Sequence, residues 1–190
     1  MDHNFRKYLT AGSITGALLF FFGVANAQND NATHMDTSTQ KMLSSADTTF
    51  ATKAAQGGLA EVQLGQLAVS KAESPSVKEF GQKMVDDHTK ANDQLKQLAQ
   101  QQNMTLPATM NAKDQALYDK LQKLSGAQFD KMYMKAMVKD HEEDVKEFQK
   151  EATHGKDSAI KNFASQTLPI LEQHLQMAKS TDSQVASAKS

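Results

Sequence analysis

From Asp47 almost to the carboxyl end, apolar residues recur every three or four positions and polar residues fill the opposite face. That period marks amphipathic helices. A first helix is predicted over 47–73 with Asp47 as its cap, because a short acidic side chain can accept the free amide protons of a first turn. Ser74-Pro75 ends it and starts a second helix over 75–102, with Ser74 as cap and Pro75 at the first helical position. A linker over 103–111 contains Leu106-Pro107, and a short helix over 112–124 stops at Ser125-Gly126. A third long helix spans 127–153 and ends at His154-Gly155, which reads as a left-handed stop. The fourth spans 157–180. Pro169 lies inside it and should free the Ser165 carbonyl and bend the helix. Residues 181–190 are small and polar and are expected to fray.

Four long helices in two tight hairpins describe an all-α fold, a four-helix bundle over 47–180. The connection between the second and third long helices is long and carries the extra short helix. A crossover of that length can return the chain to the far end of the bundle, as in ferritin-like folds. Simple up-down-up-down wiring, with the short helix as an excursion, is the alternative.

The first 27 residues read as a signal peptide rather than as part of the fold. Arg6 and Lys7 precede the apolar run Ile14 to Val24, and Ala25-Asn26-Ala27 supplies the small residues a signal peptidase needs. The run is roughly half of the ~20 residues that a membrane span requires; an uncleaved anchor is the alternative. Residues 28–46 are polar and without period, a flexible leader. No later apolar stretch is long enough to span a membrane. The expected product is exported and periplasmic, cleaved after Ala27, with no transmembrane segment.

Composition narrows the chemistry. The 190 residues suit one bundle domain, and 21 Lys plus Arg balance 22 Asp plus Glu, which argues against a basic nucleic-acid surface. With no Cys there is no disulfide framework, thiolate nucleophile, iron–sulfur cluster or thiolate zinc site.

Helical wheels place ionisable residues where only apolar ones are expected. The first helix has an apolar stripe of Phe50, Ala54, Gly58, Gly65, Ala68 and Ala72, with Glu61 in its middle. The second has Val77, Phe80, Met84, Ala91, Leu95 and Leu98, with His88 at the centre. In the third, His141 and Asp144 flank the line of Met137 and Phe148; in the fourth, His174 and Thr167 lie among Ile160, Ala164, Leu171 and Ala178. Glu61 and His88 are nearly equidistant from the Ser74 turn, so an antiparallel hairpin brings them level. His141 and His174 match less closely across the Gly155 turn, by about 7 Å along the axis. Met-Val-x-Asp-His occurs twice, at 84–88 and 137–141, a sign of pseudo-symmetry.

A buried carboxylate needs a cation, a donor or a metal. Neutral imidazole and carboxylate are ordinary ligands for Fe, Zn, Mn or Cu. Glu61, His88, His141 and His174 are therefore candidate ligands, with Asp144 as a fifth. The competing reading is a hydrogen-bonded layer that fixes helix register without metal. A di-iron oxidase centre has little support: Val85, Val138 and Leu171 stand three residues before the histidines, where such sites carry Glu. Met84, Met137 and Met177 lie near the inward histidines; thioether plus imidazole would suit Cu(I), while core filling explains the same positions. His34 in the leader and His154 at a helix end offer nothing comparable.

The strings 54–65 (AAQGGLAEVQLG), 80–88 (FGQKMVDDH), 137–141 (MVKDH) and 168–175 (LPILEQHL) together resemble the bacterial exported family classed as domain of unknown function 4142, placed among ferritin-like folds. The resemblance spans essentially 47–179. It implies a ferritin-like bundle and an exported location, and supplies no activity and no ligand set. Three functions stay open: a core transition-metal binder, a metal-free structural or stress-related interaction protein, and, third, an oxidase or peroxidase. Partners and oligomeric state have no signature in the sequence.

Overall fold

The computed structural model describes residues 43–188. The expected signal peptide over 1–27, the expected leader up to residue 42 and the last two residues of the expected tail lie outside the described residues. Five helices and no strand make up the described chain: α1 (Ser45–Lys71), α2 (Pro75–Gln101), α3 (Ala112–Gln122), α4 (Gly126–His154) and α5 (Ser158–Ser187).

Helix ends show where local chemistry departs from expectation. Ser44, not Asp47, caps α1: its hydroxyl accepts the Asp47 amide at 3.1 Å. The Asp47 carboxylate instead accepts the backbone N–H groups of Lys156 at 3.0 Å and Asp157 at 2.9 Å, in the α4–α5 turn. Ser74 occupies the cap position of α2, but its hydroxyl makes no capping bond and pairs with Ser76 at 2.9 Å. Asp130 does the work there, accepting from Glu73 N–H at 3.1 Å and Ser74 N–H at 2.8 Å.

Gly155 is not a left-handed stop, since its φ is −51°. Glycine suits that position for space: a Cβ would lie 2.5 Å from Glu151 Oε1. The left-handed glycine is Gly126, at φ +60°, opening α4. Nor does the chain fray at Thr181. Helix α5 continues to Ser187, because Thr181 and Val185 prolong the inward stripe of Ala178 and are buried with it.

The two aspartates also decide the wiring. Asp47, at the start of α1, reaches the end of α4; Asp130, at the start of α4, reaches the end of α1. Helices α1 and α4 are therefore antiparallel, and α2 and α4 parallel. The chain from 102 to 125, with α3 in it, crosses back to the end of the molecule where α2 began. Contacts link α1 to α2, α2 to α5, α5 to α4 and α4 to α1, so the long helices close into a ring, with α3 packed on α1 and α4.

Inside the ring are two apolar clusters. One contains Leu64, Phe80, Met84, Phe129, Tyr133, Met137 and Val185; the other contains Phe50, Leu95, Phe148, Ile160, Phe163 and Leu171. Glu61, His88, His141 and His174 fall at the boundary between the two on α1, α2, α4 and α5 respectively. A polar layer thus divides the core.

Candidate metal centre

Each long helix delivers one residue to this layer. Gly65 and Gly81 allow α1 and α2 to lie close, since a Cβ on Gly65 would stand 2.7 Å from the Gly81 carbonyl oxygen. That approach brings Glu61 to His88, whose Nδ1 donates to Glu61 Oε2 at 2.8 Å. From α4, His141 Nε2 stands 3.3 Å from the other oxygen, Glu61 Oε1. From α5, His174 Nε2 donates to Asp87 Oδ2 at 2.9 Å. All four layer residues are buried, His141 and His174 completely.

The hydrogen bonds fix the imidazole tautomers. His141 Nδ1 lies 3.0 Å from the Met137 carbonyl, which can only accept, so Nδ1 carries the proton. His88 has its proton on Nδ1 toward Glu61, and His174 has its proton on Nε2 toward Asp87. The opposite nitrogens, His88 Nε2, His141 Nε2 and His174 Nδ1, are buried without a hydrogen-bond partner, as is Glu61 Oε1. One ring nitrogen from each histidine lies within 4.8 Å of one from each of the others. Ring centroids are 5.3 Å apart for His88–His174, 5.4 Å for His141–His174 and 6.0 Å for His88–His141.

Electrostatics keep the rings neutral. Burial lowers His88 to about 4, His141 to about 3 and His174 to about 4. Neighbouring imidazoles add to the effect at His141. Burial also works against charge on Asp87, but hydrogen bonds from Lys83 (2.8 Å) and His174 outweigh it, and its carboxyl sits below the usual range. Glu61 is pushed well above the usual carboxylate range, by burial first and then by Asp140 and Asp114.

A second group adjoins the first. Glu61, Asp140 and Asp144 each place a carboxylate oxygen within 4.8 Å of the others. Burial, then Asp114, raises Asp140 to about 6; burial, then Glu61 and Asp140, holds Asp144 well above the usual carboxylate range. A cavity of about 20 Å³ has Glu61, His88, Asp144 and Asn92 in its wall, among apolar residues that include Leu95, Phe148, Phe163 and Leu171.

Residues 32–181, most of the chain, match the family model described as "Domain of unknown function (DUF4142)". The chain belongs to this family. No curated protein matches the DUF4142 chain. Two solved structures share its fold. The DUF305 fragment from Deinococcus radiodurans has 9% identity and a TM-score of 0.66, covering 75% of this chain and 98% of its own. The putative secreted protein DUF305 from Streptomyces coelicolor has 12% identity and a TM-score of 0.64, covering 76% and 96%.

Of the candidate ligands read from the DUF4142 sequence, the structure gathers His88, His141 and His174 into one group, with Glu61 touching two of them. Asp144 falls in the group with Glu61 and Asp140 and lines the same small cavity as Glu61 and His88. Met84 and Met137 are fully buried within the apolar cluster. Sequence reasoning missed Asp87 and Asp140, which both immediately precede an inward histidine in the repeated motif. The duplicated Asp-His pair was the available signal. His154 is exposed at the end of α4, and His34 lies outside the described residues.

Proposed function

We propose that this DUF4142 protein is an exported, ferritin-like four-helix-bundle protein that holds a transition metal ion in its core through His88, His141 and His174, with Glu61 beside them. One observation carries the reading: three imidazoles, each with one nitrogen donating to Glu61, the Met137 carbonyl or Asp87, turn unpartnered nitrogens into one buried layer. Metal-binding histidines are oriented in this way, the second nitrogen donating to a carboxylate or carbonyl. Buried imidazole nitrogens call for partners, and one ring nitrogen of each histidine lies within 4.8 Å of one from each of the others. Nitrogen-rich sites suit Zn or Cu first and accept Fe or Mn.

Elemental analysis of protein purified from its native compartment, together with titration calorimetry against Zn(II), Cu(I), Fe(II) and Mn(II), tests the reading. Stoichiometric metal in wild type and none in His174→Ala is expected. Wild-type protein that takes up none of the four ions ends it.

One contact favours the metal-free register layer. His141 Nε2 and Glu61 Oε1 face each other at 3.3 Å, and a proton on Glu61 would serve both atoms. Export rests on the sequence: intact-mass analysis of secreted protein is expected to give a chain beginning at Gln28, and a mass that retains residues 1–27 would refute cleavage.

A further inference from the structure

We propose that Glu61, Asp140 and Asp144 form a second cation position, ligated by oxygen, directly beside the imidazole position and sharing Glu61 with it. The proposal deepens the metal-binding reading, but its own position is defined by different atoms.

Three observations support it. Asp140 and Asp144 are four residues apart on one face of α4, and Glu61 meets them from α1, with an oxygen of each within 4.8 Å of the others. Like charges at that helical spacing repel. Among the described residues, neither aspartate has a hydrogen bond or an ion pair to offset this. Lys113, whose charge eases that of Asp140, is itself paired with Glu143 at 3.1 Å.

Second, Glu61 Oε1 is unpartnered in a residue only 2% exposed. The other oxygen is engaged by His88, whereas Oε1, 3.3 Å from His141 Nε2, is held by no hydrogen bond. Third, the cavity of about 20 Å³ beside Glu61, His88 and Asp144 has the volume for a single ion or water. An oxygen-only set differs in kind from the imidazole group. Carboxylates favour hard ions such as Mn(II), Mg(II) or Ca(II), whereas imidazoles favour Zn(II) and Cu. The layer therefore offers two adjoining positions of different selectivity.

The full mature chain is loaded with one equivalent of Zn(II) and titrated with Mn(II), read by the loss of the free Mn(II) paramagnetic resonance signal. Wild type should bind one further equivalent of Mn(II). Asp140→Asn/Asp144→Asn should bind Zn(II) as wild type does and bind Mn(II) at least tenfold more weakly. Retained Zn(II) binding shows that this variant is folded. Failure of wild type to bind Mn(II), or equal Mn(II) binding by wild type and variant, overturns the second position and leaves the first intact. Mn(II) binding without Zn(II) binding by wild type overturns the imidazole position instead. Absence of both overturns both.

Discussion

Asp47 and Asp130 occupy equivalent places 83 residues apart: each sits near the start of a long helix and accepts two backbone N–H groups from the turn of the opposite hairpin. The same shift carries Glu73 to Lys156 and Ser74 to Asp157, the donors in the two turns. It also carries Glu61 to Asp144, so the two hairpins present a carboxylate at the same height from α1 and α4. The Met-Val-x-Asp-His echo is a separate relation. It links α2 to α4, which run parallel, and places His88 and His141 in the same layer.

Removing either clamp should be costly. Asp130→Ala and Asp47→Ala each delete a buried carboxylate and leave two amides without partners. A loss of about 2–4 kcal/mol is expected for each, since hydrogen bonds to charged groups are the stronger kind. Urea denaturation measures it. A change below about 0.5 kcal/mol, the level of an ordinary surface substitution, would show that the clamps are incidental.

Two glycines should respond oppositely to alanine. At Gly81 a Cβ would stand 2.7 Å from Ala68 Cβ and 2.9 Å from the Gly65 carbonyl, so α1 and α2 must separate. Overpacking of this kind costs roughly 1–3 kcal/mol. At Gly57 a Cβ meets nothing within 4 Å, and the helix gains propensity. Gly57→Ala should therefore add about 0.5–1 kcal/mol. Melting temperatures of the two variants moving in the same direction would contradict the packing described for this hairpin.

Glu151 should give the protein a weakening on the alkaline side. Burial first, then the charge of Asp47, raises Glu151 to about 7, and its proton bridges to Asp47. Asp47 itself stays below its ordinary range: the amides of Lys156 and Asp157 outweigh the opposing effect of burial. Between the unfolded value near 4.5 and about 7, the folded chain holds a proton that the unfolded chain lacks. Stability from this group is thus complete below pH 4.5 and lost as pH rises through 7, with a slope of up to about 1.4 kcal/mol per pH unit. Glu151→Gln, whose amide can donate to Asp47 at any pH, should flatten the decline in melting temperature between pH 5 and 8. An unchanged profile would remove Glu151 as its source.

The helices were legible because their apolar stripes are long and regular, and the inward Glu61, His88 and His174 because each interrupts such a stripe. The caps were less legible. Asp47 satisfies the local rule for a cap, yet its carboxylate is used by a turn more than a hundred residues away, and Ser44 takes the local task. Thr181 and Val185 were hidden by the polar residues around them. Only the packing of α5 on the cluster that holds Phe129 and Tyr133 explains why the helix runs on. Asp87 could not be assigned to His174 from sequence, since that pairing depends on how α2 and α5 meet.

His88 and Glu61 separate the metal reading from the register reading most sharply. If the layer serves register alone, His88→Ala strands the Glu61 carboxyl in an apolar core and should cost roughly 1–3 kcal/mol, and added metal should leave the melting temperature where it was. Replacing both residues by leucine removes both polar partners, which is often nearly neutral for a buried pair, so stability should largely return. If the layer binds metal, wild type should melt higher with Zn(II) in proportion to the logarithm of its concentration, because the ion binds only the folded chain. The double variant would then keep His141 and His174 but lose that response, and its stability would match metal-free wild type rather than the loaded protein. A double variant that is still stabilised by Zn(II) as strongly as wild type would place the ion elsewhere and exclude His88 as a ligand.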